Sequence, residues 1–230
     1  MMEFLSASQA GRLQEVAKRF KGKLKPVKPW NKWTDEELWR KVLGQIAVVG
    51  RAGPGERLQH DLKIREKVSI KRLNRFRTDT ELQKHLHDVF VRLGVRFVGR
   101  NWRYDKKAAA AVKNFRVLMS KGGPKQFFQE IDKCGTESER IEQLQKSLKY
   151  YGDKGSRDTA IELGLAENCM ALDARIYGVL KGVGVDVSPE NIFRSIESEL
   201  IQKVATPLGI SGGQLDRILF QNYQKILKAL

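Results

Sequence analysis

The sequence predicts an all-α protein, and two observations carry that prediction. Apolar residues recur at spacings of three and four, as in residues 137–151, where Ile141, Leu144, Leu148 and Tyr151 share one helical face. Helix-start and helix-stop signals punctuate these runs. Thr34 with Glu37 and Thr136 with Glu139 are capping boxes, in which each side chain satisfies an amide at the other end of the first turn.

Leu13, Val16, Ala17 and Phe20 give an amphipathic helix near the start of the chain. The basic segment KGKLKPVKPWNKW is broken by Pro26 and Pro29 and is a loop. Thr34 opens a helix through Leu38, Val42, Ile46 and Val49, and Arg51-Ala52-Gly53-Pro54-Gly55 is expected to terminate it. Residues 65–77, REKVSIKRLNRFR, interleave basic residues with Val68, Ile70, Leu73 and Phe76, one charged helical face over a core face. Asp79 or Thr80 begins a helix ending at Gly94. His85 and His87 on it are two positions apart, hence on different faces, and no metal site is expected from them.

Asp105 reads as the cap of a helix that begins Lys106-Lys107 and reaches Ser120. Trp102 and Tyr104 before it are candidate wedges against a partner or buried anchors. Gly122-Gly123-Pro124 starts a short helix with Phe127, Phe128 and Ile131. The stretch from Leu148 to Leu180 then reads as the end of one helix, a tight hairpin, and a second helix with a lysine at its start. Gly152 and Gly155 bracket Asp153-Lys154, turn chemistry that brings backbone amides to the surface. Gly164 is a helix end, and Asp173 before Ala174-Arg175-Ile176 is an N-cap carboxylate. Gly182 and Gly184 mark another helix end, and Ser188-Pro189 is a cap and first position of the next helix. Gly209 to Gly213 is the last loop. The final helix, residues 214–230, is expected to turn Leu215, Leu219, Ile226 and Leu227 inward.

Charge narrows the partners. Across 230 residues, 43 Lys+Arg against 27 Asp+Glu give +16, which favours a polyanion, with nucleic acid leading because phosphate contacts supply sequence-independent affinity. A hydrophobic fraction of 41% supports a folded core, and no apolar run is long enough for a membrane span. The first residues lack the pattern of a secretion signal. Two cysteines, Cys134 and Cys169, with three histidines suggest neither an iron–sulfur cluster nor a zinc motif; reduced thiols and a cytoplasmic, nucleoid-associated protein are expected.

A lysine just after a hairpin glycine, Gly152 then Lys154, with an aspartate at the head of the next helix, Asp173, resembles the helix-hairpin-helix DNA glycosylases. The likeness is closest to the 8-oxoguanine DNA glycosylases of archaea and some bacteria. Residues 94–112, GVRFVGRNWRYDKKAAAAV, resemble that family's Gly-x-Arg-Phe…Tyr…Lys-Ala segment. Leu215-Asp216-Arg217-Ile218-Leu219-Phe220 resembles its C-terminal Leu-Asp-x-x-Leu-Trp, with Phe in place of Trp. The first hairpin glycine is usual in the family, but Tyr150 stands there. A second register places Arg157 where the lysine belongs, at a shorter spacing to Asp173.

The resemblance implies two helical lobes with the active cleft between them. Residues 1–50 are expected to pack with the C-terminal helices, residues 51–165 to form a central helical barrel carrying the hairpin, and residues 166–230 to complete the other lobe. It also implies a base-excision-repair enzyme that removes 8-oxoguanine from duplex DNA and then nicks the strand through a Schiff base. Lys154 would be the nucleophile and Asp173 the carboxylate that stabilises the oxocarbenium-like sugar. Lysine is protonated at neutral pH, with a reference pKa of about 10.4. Burial and the neighbouring cations Lys149 and Arg157 are expected to favour the neutral amine.

Gly152, Gly155, Lys149 and Arg157 would grip DNA, with a monovalent cation on hairpin carbonyls as a further implication. Phe220 would stack on the extruded base, with Lys225, Lys228 and Gln45 as further pocket residues and the loop through Arg51 beside Gln45. The expected partner is double-stranded DNA holding a damaged base, bound by a monomer with no membrane involved. Two alternatives remain: a monofunctional glycosylase for another damaged base relying on Asp173, and a non-catalytic DNA-binding module using the hairpin alone.

Overall fold

A computed structural model of the chain describes residues 4–24, 26–50, 52–187 and 193–230. Every regular element among them is helical. The chain divides into a central unit, Pro29–Gly155, and a terminal unit made of Met1–Lys28 with Ser156–Leu230. The division therefore falls at residues 28 and 155, against the expected 50 and 165.

In chain order the α-helices are α1 (Ala7–Phe20), α2 (Asp35–Ala47), α3 (Gly53–His60), α4 (Leu62–Lys67), α5 (Ile70–Leu73), α6 (Asp79–Leu93), α7 (Lys106–Ser120), α8 (Pro124–Asp132), α9 (Glu137–Ser147), α10 (Asp153–Glu162), α11 (Ala174–Gly182), α12 (Phe193–Leu200), α13 (Gly212–Gln221) and α14 (Tyr223–Leu227). Side-chain caps fix most of their starts. Ser6, Thr34, Thr78, Thr136 and Ser211 each form a capping box, and Asp61, Asp105 and Asp173 each accept two amides of the following turn. A cap of this kind contributes about 1 kcal/mol.

In the central unit α2 packs on α3, α7 and α8, and α6 on α7. Trp39 and Phe115 meet edge to face with centroids 5.1 Å apart, and the Trp39 indole N–H donates to the Val68 carbonyl at 2.8 Å. In the terminal unit the apolar faces of α1, α11, α12, α13 and α14 share one core built on Leu13, Ile176, Leu180, Ile196, Leu219 and Ile226. A π-helical turn, Ile201–Ala205, continues α12 and packs against α1 and α13. Glu199 of α12 accepts the amides of Phe4 and Leu5 while Lys203 donates to the Leu5 carbonyl, which ties those two residues down.

Three segments differ from their sequence reading. Gly53-Pro54-Gly55 opens α3 instead of closing α2: Gly50, at φ 87°, has already turned the chain, and Pro54 suits a first turn that needs no N–H. The basic run 65–77 is not one helix. The Val68 carbonyl is taken by Trp39, and Ser69 caps a new turn through the Arg72 amide. The last helix breaks at Asn222, whose side chain donates to the Ile218 carbonyl, and Leu227 is left 37% exposed while Ile226 is fully buried. Arg51, Ser188 and Pro189 lie outside the described residues.

Candidate active site

The central unit carries the hairpin. Helix α9 ends at Ser147, and Leu148 turns extended with its apolar side chain buried. Tyr150 takes φ 65°, a left-handed conformation at the place where the resembled family has its first hairpin glycine. A side chain there costs about 1–2 kcal/mol, so the surroundings must hold the turn. Asn114, fully buried on α7, does so: its Oδ1 accepts the Lys149 amide at 2.7 Å and its Nδ2 donates to the Lys149 carbonyl at 3.0 Å. Burial, and then the Asp105 carboxylate, push the Tyr150 phenol above its ordinary pKa.

Helix α10 begins at Asp153, which accepts from Gln145 Nε2 at 3.1 Å. Lys154 lies in its first turn and is half-buried. Gly155 is helical and buried, not a surface turn residue, which corrects its expected place in the phosphate grip. A Cβ on it would sit 3.2 Å from the Tyr150 carbonyl and 3.6 Å from Gln45 Oε1. A Cβ there would have to push the Tyr150 carbonyl by a few tenths of an ångström, so glycine suits this close approach, and the buried Gln45 of α2 is brought to the residue that follows Lys154. Gly152 is exposed, with open space where a Cβ would project, and Lys149 is exposed beside it. The Lys149 carbonyl accepts from Asn114 Nδ2 at 3.0 Å.

Behind the hairpin, Asp105 caps α7 through the Lys107 and Ala108 amides and meets His87 Nδ1 at 2.9 Å. Lys107 is 2% exposed, reaches the Val49 carbonyl at 3.3 Å, and has its pKa lowered by burial against the opposing pull of Asp105. The two histidines on α6 part as their spacing requires: His85 bonds to the Lys67 carbonyl and His87 to Asp105. Tyr104 stands 79% exposed, whereas Trp102 is half-buried under Arg103, with 5.1 Å between guanidinium carbon and ring centroid.

The terminal unit carries the carboxylate. Asp173 Oδ1 accepts the amides of Arg175 at 2.9 Å and Ile176 at 3.1 Å, so one oxygen makes the whole cap. The approach to Asp173 is held by two buried acids. Glu197 Oε1 accepts the Met170 amide at 2.8 Å, and Asp216 Oδ1 accepts the Ala171 amide at 2.7 Å. Arg157, expected on the DNA surface, is 7% exposed. Its Nε donates to both Glu197 oxygens at 2.8 and 3.0 Å, and its guanidinium lies 4.8 Å from the Phe193 ring centroid. An arginine so committed is neither a phosphate contact nor the nucleophile of the alternative register.

Phe220, at the end of α13, is 38% exposed and lines a cavity of about 280 Å³ with Arg175, Tyr223 and Lys225. Lys228 is exposed one turn further on and does not line it. The hairpin set (Lys149, Gly152, Lys154, Gly155, Gln45) thus belongs to the central unit, and the set of Asp173, Phe220 and Lys225 to the terminal unit. The sequence reading missed Asn114, Glu197 and Arg175. The first two carried a signal: each is a polar residue on an apolar helical stripe, Asn114 between Ala111 and Leu118, Glu197 between Phe193 and Leu200.

The 8-oxoguanine DNA glycosylase of Methanocaldococcus jannaschii superposes with a TM-score of 0.64 at 18% identity, over 92% of this chain and 91% of that one. The chain has its fold. The 8-oxoguanine DNA glycosylase of Thermotoga maritima gives 0.58 at 19% identity, over 92% and 86% of the two chains. The Methanocaldococcus jannaschii 8-oxoguanine glycosylase/lyase in complex with 15mer DNA containing 8-oxoguanine gives 0.60 at 17%, over 90% and 87%. No protein-family model and no curated protein matches the chain by sequence.

Proposed function

We propose that this protein is a DNA glycosylase of base-excision repair that removes oxidised purine, 8-oxoguanine, from duplex DNA and cleaves the resulting abasic site as a lyase. The observation that carries this reading is a lysine in the first turn after the hairpin, Lys154 on α10, in a chain that shares the glycosylase fold over nearly its whole length. The net charge of +16 supports a polyanionic substrate.

A duplex hides the glycosidic bond, so the target nucleotide must leave the stack, at a cost of a few kcal/mol. The exposed backbone at Gly152 and the Lys149 side chain suit phosphates flanking it. The Lys154 amine attacks C1′ of the sugar, the bond to the purine breaks, and the base departs with the bonding pair. Asp173 offsets the positive charge that develops on the sugar and takes part in moving the lysine proton. Ring opening gives a Schiff base between Lys154 Nζ and C1′. Loss of a proton from C2′ then expels the 3′ phosphate and nicks the strand. The protein works as a monomer on double-stranded DNA, in the cytoplasm at the nucleoid.

Sodium borohydride reduces the imine and decides the matter. With an 8-oxoguanine duplex the full chain yields a covalent protein–DNA band, and Lys154→Gln yields none while still binding duplex. No band from the unaltered chain on a panel of single-lesion duplexes overturns the lyase, and base release seen only after alkali identifies a monofunctional enzyme. A band that survives in Lys154→Gln assigns the nucleophile elsewhere.

A further inference from the structure

The guanidinium of Arg175 lies over the ring of Phe220, 4.4 Å from its centroid, in the cavity of about 280 Å³ that both residues line. Small-ligand sites begin at about 300 Å³, so the space sits at that lower edge while the side chain remains where it is. Local helix stability does not account for an arginine at this position. The first turn of α11 contains no acidic residue, and a cation there opposes the helix dipole, which favours anions at this end. The Arg175 backbone is nonetheless fixed, since its amide is bound by Asp173 Oδ1 at 2.9 Å. What can move is the side chain, which is exposed.

We propose that Arg175 is a placeholder for the extruded base: its guanidinium covers the stacking face of Phe220 until a purine displaces it onto a phosphate of the same nucleotide. This rests on the reading that Phe220 receives the base. The exchange is chemically matched. A guanidinium and a purine both stack on an aromatic face, and a released guanidinium prefers a phosphate, which the start of a helix also favours. The displacement sets a threshold for occupancy of the pocket, because every candidate base must compete with the same intramolecular cation. Lys225, on the same cavity, lies on α14.

The test uses free nucleosides and no strand chemistry, so it reads separately from lyase activity. Binding of 8-oxo-2′-deoxyguanosine and of 2′-deoxyguanosine to the full chain is followed by NMR titration for the unaltered protein, Arg175→Ala, Phe220→Leu and the double variant. Arg175→Ala is expected to bind both nucleosides about two- to fivefold more tightly, the size of an exposed cation–π contact, and the gain is expected to vanish when Phe220 is Leu. Equal or weaker binding by Arg175→Ala, or a gain that persists without Phe220, overturns the placeholder. On a duplex bearing 8-oxoguanine, compared in a Lys154→Gln background so that the base stays attached, adding Arg175→Ala should lower the slope of log K against log salt by about 0.9, one phosphate contact. An unchanged slope overturns the phosphate half. A protein that gives the nucleoside result but no borohydride band keeps the placeholder and loses the lyase.

Discussion

Asn114 closes two hydrogen bonds on a single residue, accepting from the Lys149 amide at 2.7 Å and donating to the Lys149 carbonyl at 3.0 Å. A side-chain amide that matches both backbone groups of one residue fixes that peptide in register. Here it fixes the residue before a left-handed tyrosine and five positions before Lys154. Asn114→Ala removes both bonds from a fully buried site and should cost about 1–3 kcal/mol, read as a lowered urea midpoint. Borohydride trapping should fall in the same variant at temperatures where it is still folded. Full trapping with lowered stability would show that the hairpin does not depend on this clamp.

Tyr150 offers an inverted comparison. In helices and strands alanine is more stabilising than glycine, but at φ 65° the Cβ is the liability. Tyr150→Gly is therefore expected to be more stable than Tyr150→Ala by about 1 kcal/mol, since both lose the ring and only one keeps the strain. Urea denaturation of the pair measures the difference directly. Alanine equal to or above glycine would mean that the turn is not left-handed in solution.

Arg157 and Lys149, both basic and both near the hairpin in sequence, should separate cleanly. Removing Glu197 alone leaves the Arg157 charge buried, so Glu197→Ala is expected to destabilise by about 3–5 kcal/mol. Arg157→Met with Glu197→Gln should recover most of that loss, because it removes the charge and keeps an acceptor for the Met170 amide. In duplex binding, Lys149→Ala should lower the salt slope by about 0.9 while the Arg157/Glu197 double variant leaves it unchanged. A fall in the double variant would return Arg157 to the DNA surface.

The helices were legible because their signals are local. Capping boxes at Thr34 and Thr136, the caps at Asp105 and Asp173, and the glycine stop at Gly164 depend on residues within one turn of each other. Gly164 itself, at φ 66°, closes α10 with the Leu165 amide on the Ala160 carbonyl, the geometry expected of a glycine stop. What the pattern misjudged depends on distant partners. The basic run 65–77 keeps helical spacing throughout, yet Trp39, about thirty positions away, takes the carbonyl that a continuous helix would need. Arg157 looked like a surface cation because its ion-pair partner lies outside the reach of local spacing. Its partner, Glu197, is 40 positions on. Lys154 and Asp173, the proposed catalytic pair, were singled out by their spacing and the glycine before the lysine, features that a local reading can see.

The folded chain holds one histidine against protonation, which gives stability a definite direction with pH. Burial lowers the His85 pKa below 6.5; the bond to the Lys67 carbonyl opposes this, and nearby Arg72 adds to it. The neutral ring is thus the favoured native form. Its contribution is fully present above the unfolded value and is lost as pH falls from there through the folded one. Thermal midpoints should drop between pH 7.5 and pH 5 more steeply for the unaltered chain than for His85→Gln, which retains a donor for Lys67. Parallel profiles for the two proteins would assign the acid sensitivity to other groups.

Asp173 has one observed duty and one proposed, and a single substitution can separate them. Its Oδ1 caps α11 through two amides, and the proposed chemistry asks its charge to stabilise the sugar cation. Asparagine caps a helix about as well as aspartate, so Asp173→Asn should keep the fold within a few tenths of a kcal/mol, whereas Asp173→Ala should lose about 1 kcal/mol. Single-turnover base release should fall by orders of magnitude in both variants, because neither carries the charge. Stability and rate then part: alanine and asparagine differ in the first and agree in the second. If asparagine supports near-normal release, Asp173 is a cap alone, and the carboxylate that serves the sugar must be sought elsewhere.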